Sequence, residues 1–142
     1  MDFRRVNDRP NTFVVVFEPG EEAMSTLTAF AREQSLSASQ VTAIGGFERV
    51  VLGYFDRDRR DYQPIPIEEQ VEVLALIGDI VGDGDDVKVH VHAVVGRRDG
   101  SAHGGHLLEA VVWPTLEVVI TETPAHLRRR FDPETGAALI VM

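Results

Sequence analysis

The chain has 142 residues, enough for one domain with a single sizeable core. Its 44% apolar and 26% charged residues are the balance of a folded, soluble protein; no apolar run is long enough to cross a bilayer, and MDFRRVNDRP lacks the apolar stretch of a signal peptide, so a cytoplasmic location is expected. Twenty-three acids against 14 bases give a net charge of −9, which argues against gripping DNA through its phosphates, and with no cysteine any metal must be held by histidine and carboxylate.

The first structural signal is TFVVVF (12–17), a β-branched and aromatic run that reads as a buried strand ended by Pro19-Gly20. EEAMSTLTAFAREQ then opens with acids, as a helix N-terminus prefers, and places Met24, Leu27, Phe30 and Ala31 on one stripe, predicting an amphipathic helix over 21–34. VTAI (41–44) is a short strand broken by Gly45-Gly46, and FERVVLGYFD (47–56) resumes as strand. After a polar stretch at 57–63, VEVLALIGDIV (71–81) ends at a GDGDD turn and VKVHVHAVV (87–95) follows. HLLEAVVW (106–113) stops at Pro114, and LEVVIT (116–121) stops near Pro124. A short helical turn around 125–131 and a DPETG turn lead to a last strand, ALIVM. One main helix with strands at tight intervals predicts an α+β domain spanning 1–142, a mostly antiparallel sheet with the helix packed on it. The basic clusters, RDRR (57–60), Arg97-Arg98 and RRR (128–130), read as solvated loop and helix faces.

Four of the five histidines fall in HVHAVVGRRDGSAHGGH, residues 90–106. On a strand, Val87, Val89, Val91, Ala93 and Val95 share the core face, so His90 and His92 leave it together. Their Cα atoms are then roughly 6.5–7 Å apart, from which two imidazoles can converge on one ion. A third ligand must come from elsewhere, and the RRDGSAHGG turn brings the chain straight back alongside. His106 opens the returning strand; His103, a further candidate ligand or supporting group, sits in the loop and projects before the strand begins. Gly104-Gly105 removes side chains there and permits positive φ, so the backbone can fold close to an ion. Glu109 and Glu117 are candidate supporting carboxylates; Glu117 leaves the apolar face of its own strand and is placed to orient an imidazole or bind directly. His126 reads as a surface residue. Zinc is the expected metal for imidazoles without thiolates.

The ordered combination of VHVHAVV, the Asp99-Gly100 turn, GGHL and LEVVI, together with FVVVFEPGEEAMSTLTAFA and VTAIGGFERVVLGYFD, resembles the plant and prokaryote conserved (PPC) domain family, which is labelled DNA-binding. The resemblance spans roughly residues 10 to 140. It implies a homotrimer of compact domains and, in prokaryotic members, a metal triad whose counterparts here are His90, His92 and His106. Plant members bind AT-rich DNA through a separate Arg-Gly-Arg-Pro hook. This chain has Arg9-Pro10 but no hook, so the resemblance implies a metal-binding regulatory or interaction module, and the charge of −9 argues against direct DNA binding.

A more distant likeness to acetolactate decarboxylase, which also holds zinc with H-x-H and G-G-H histidines, supplies an alternative. This is a small metal-dependent lyase acting on a carbonyl-bearing organic acid, with the ion as Lewis acid. In that reading Glu117 carries the proton and Arg97 or Arg98 holds the substrate carboxylate.

Overall fold

In the computed structural model we describe residues 1–8, 10–123 and 127–141, and the side chains of all of these except 2–8. The described elements are β1 (Asp2–Asp8), β2 (Asn11–Phe17), α1 (Ala23–Glu33), β3 (Ala38–Asp56), β4 (Asp61–Ile67), β5 (Val71–Asp83), β6 (Asp86–Gly96), β7 (Ala102–Glu122), β8 (Arg128–Asp132) and β9 (Ala137–Val141). The α+β reading holds: one helix lies on a sheet whose pairings are antiparallel except for a Gly82–Arg128 bridge between β5 and β8.

Two long strands organise the sheet. β3 and β7 pair along most of their length, then share their flanks: β3 takes β5 on its first half and β4 on its second, whereas β7 takes β6 early and β2 late. β5 also pairs β6, so β3, β5, β6 and β7 form a closed circuit of neighbours. β1 extends the sheet beyond β2, and the β8–β9 hairpin docks beside β5.

The helix forms because its apolar stripe has a destination. Leu27, Phe30 and Ala31 are buried, and Phe30 meets Phe13 edge-on at 5.5 Å. Its N-cap is Glu22, whose carboxylate accepts from Met24 N (3.1 Å) and Ser25 N (2.6 Å) and also from Ala110 N on β7 (3.1 Å), tying the helix start to the sheet.

Three expectations change. The breaks at Gly45-Gly46 and Pro114 are not strand ends: β3 and β7 run through them, and the two irregularities face each other. A Cβ at Gly45 would lie 2.2 Å from the Thr115 carbonyl, and one at Gly46 would lie 2.3 Å from that of Trp113. Bare glycine lets the two backbones bend together. The polar 57–63 stretch contains a turn and then the start of β4. The helical turn expected over 125–131 falls partly outside the described residues, and from Arg128 the chain is strand β8.

Candidate metal centre

The histidine cluster is a consequence of two hairpin registers. The β5–β6 turn at Gly84-Asp85, with Gly84 at φ 62°, pairs Asp79 with His90 and Ile77 with His92. The return into β7 sets His92 opposite His106. Along β6, Val89, Val91, Ala93 and Val95 are buried, while His90 is half-buried and His92 exposed on the other face, as the alternation predicts.

The three rings converge. Their centroids are 5.1 Å apart for His90–His92, 5.1 Å for His90–His106 and 5.4 Å for His92–His106, and one ring nitrogen from each lies within 4.8 Å of the others. His90 Nε2 and His92 Nε2 are 3.2 Å apart. Two nitrogens each about 2.0–2.1 Å from a tetrahedral ion would be separated by about 3.3 Å, so this pair needs little movement to share one. His106 Nδ1 is buried with no hydrogen-bond partner among the described residues, an orphaned ring nitrogen in the same cluster. These donors fit a borderline-soft divalent ion.

Glycines make room for this geometry by close backbone approach, not by positive φ at 104–105 as expected. A Cβ at Gly105 would meet the Gly53 carbonyl at 2.8 Å, whereas one at Gly104 would find only ordinary contacts at 3.5 Å. On β5, a Cβ at Gly78 would lie 2.1 Å from the His90 carbonyl. Gly53 serves a neighbour: a side chain there would press Tyr62 and Leu108, and its absence lets Tyr62 stack on His106 at 4.3 Å and 21°.

The surroundings favour the neutral form of two of the imidazoles, His90 and His106. Burial first, then His90, His92 and Lys88 nearby, hold His106 down to about 4. His90 is also lowered, by burial and then by the Arg129 guanidinium, with Asp79 opposing. Neutral imidazole is the form that binds metal.

Arg129 is the principal surprise. It was expected on a solvated face, yet its side chain is only 6% exposed and its Nη2 donates to Asp79 Oδ1 at 2.6 Å. Sequence reasoning missed Tyr62, Asp79 and Arg129. Asp79 was findable: the hairpin register counted from the GDGDD turn puts it opposite His90. Tyr62 arrives on the return strand of a hairpin closed at Asp56, inside a stretch read as polar loop, and Arg129 on a strand whose partner, β5, is distant in sequence.

The other candidates lie elsewhere. His103 is in strand β7 opposite Val95, exposed, and three positions from His106, hence on the opposite face. Glu117 is eleven residues beyond His106, paired with Val16 and Ile44, and Glu109 is exposed opposite Val51; neither joins the cluster. Arg97 pairs with Glu69, and Arg97 and Arg98 follow β6 at its far end, about 17 Å along the strand from His92 for Arg97. His126 lies outside the described residues.

An α+β domain with an outward three-histidine cluster on a strand pair is thus the class that fold and site define. The chain belongs to the Plants and Prokaryotes Conserved (PCC) domain family, whose model matches residues 4–124. It is similar to a candidate DNA-binding protein from Bacteroides thetaiotaomicron (26% identity, TM-score 0.92, covering 99% of this chain and 96% of that one). It is also similar to a metal-containing protein from Archaeoglobus fulgidus (27% identity, TM-score 0.86, covering 99% and 97%). Alpha-acetolactate decarboxylase from Bacillus subtilis shares the fold over 89% of this chain and 58% of its own (12% identity, TM-score 0.57). No curated protein matches the chain.

Proposed function

We propose that the protein is a cytoplasmic, homotrimeric PCC-domain module that binds zinc through His90, His92 and His106 and acts in regulation or recognition without gripping DNA itself. The observation that carries the metal is the convergence of three ring nitrogens within 4.8 Å, with His90 and His92 Nε2 already 3.2 Å apart. Bound there, the ion would supply a Lewis-acid position; the protein's own part is to favour neutral His90 and His106 and to stack Tyr62 over His106.

The setting favours recognition over chemistry. The cluster borders an open groove on the outer sheet face, lined by Gln40, Val41, Ile77, Gly78 and Asp79, and neither Glu117 nor Arg97 reaches it to carry a proton or hold a substrate. On the same outward side, Ile77, Ile44, Val119 and Val16 are all more than a third exposed, on adjacent strands β5, β3, β7 and β2. These exposed apolar side chains, with Thr42 and Glu117 set among them, support burial against further copies of the chain.

Elemental analysis of protein purified without chelator tests the metal. About one zinc per chain is expected, and none in His90→Ala. Metal-free wild-type protein that takes up no added zinc removes the proposal.

A further inference from the structure

Of the three arginines at 128–130, Arg129 alone is buried. Its Nη1 donates to the Ala138 carbonyl on β9 (2.8 Å) and its Nη2 to Asp79 Oδ1 (2.6 Å), while the same Nη2 lies 3.1 Å from His90 Nδ1. A guanidinium has donors only. The third contact therefore requires a lone pair on His90 Nδ1, which places the proton of the neutral ring on Nε2, directed at His92 Nε2 at 3.2 Å. Without an ion the chain of donation runs from Arg129 to His90 to His92.

An ion between the two Nε2 atoms needs the opposite tautomer. His90 must then carry its proton on Nδ1, where it would confront an Arg129 N–H. Asp79 Oδ2 is an acceptor 4.0 Å from Nδ1, so about 1 Å of movement converts that approach into a hydrogen bond. The carboxylate would then orient a ligating imidazole, as metal-bound histidines commonly require.

We propose that Arg129 is a positioning residue that holds His90 in the tautomer unsuited to an ion, and that Asp79 is the acceptor to which His90 turns when an ion binds, so that the pair sets the affinity of the site. This rests on the three-histidine metal reading and adds to it a control element carried by the β8–β9 hairpin.

Two measurements test it. In metal-free protein at mildly alkaline pH, two-bond nitrogen–proton NMR correlations should show His90 protonated on Nε2 in the wild type and on Nδ1 in Arg129→Met. A wild-type His90 protonated on Nδ1 overturns the proposal. In zinc competition titrations, Arg129→Met should bind about tenfold tighter than wild type and Asp79→Asn about 10–100-fold weaker. Opposite signs are the signature, because a merely structural role lowers affinity in both. Should Arg129→Met fail to fold, the wild-type tautomer and the half-exposed Asp79→Asn variant still decide. Wild-type protein that takes up no zinc overturns the metal reading together with this one. Wild type that binds zinc as tightly as Arg129→Met overturns this one alone.

Discussion

At the scale of single residues, the Gly-Gly pair before His106 shows what a side chain would meet. Gly105 is held against the Gly53 carbonyl, where a Cβ would come within 2.8 Å, and Gly104 is not crowded. Gly105→Ala should therefore cost about 1–3 kcal/mol of stability, because the clash is with backbone that cannot rotate away. Gly104→Ala should stay within about 0.5 kcal/mol. Urea unfolding at fixed protein concentration distinguishes them; equal costs would contradict the close-approach account. The sequence presents these glycines as equivalent, since nothing local reveals which faces β3. By contrast, the outward direction of His90 and His92 was legible from the alternating valines alone, because a strand's period of two leaves no other choice.

At the scale of elements, Glu22 couples the helix to the sheet. Burial opposes its ionisation, but hydrogen bonds from Ser25, Ala110 and Met24 outweigh this and hold its carboxyl below the ordinary value. A lowered native value means that the unfolded chain binds the proton more readily. The stabilisation is therefore fully present well above the ordinary glutamate value of about 4.3 and is lost as pH falls through the lowered native one. Glu22→Ala should cost about 1–2 kcal/mol at neutral pH, with the difference from wild type shrinking in acid. A difference independent of pH would contradict the assignment.

The helix itself was readable from its stripe, and its observed span, Ala23–Glu33, lies inside the expected one. The long strands were not. Gly45-Gly46 and Pro114 punctuate the sequence like breaks, and only their mutual packing across β3 and β7 turns two apparent ends into one shared bend. β8 was misread for a related reason: RRR carries no strand period, and its middle arginine is buried only because Asp79 and His90 await it.

At the scale of the whole molecule, two surfaces matter. The charge of −9 predicts little DNA binding in a gel shift at physiological salt; tight, strongly salt-dependent binding would show that the basic residues form a working patch. The exposed apolar side chains on β5, β3, β7 and β2 carry the assembly claim. Light scattering should give the mass of three chains, and Ile77→Glu, a charge on a residue 61% exposed in the single chain, should reduce that mass without unfolding the protein. A monomeric wild type would contradict it. Composition announced neither surface: the charge total was available from the sequence, but which apolar residues lie outside became visible only when the strands were paired.

The most direct test of the central claim is X-ray absorption at the zinc edge on the zinc-loaded wild-type protein. The account predicts a first shell containing three imidazole nitrogens at about 2.0–2.1 Å, lost in His90→Ala. An ion surrounded only by oxygen, with no imidazole scattering, would contradict it.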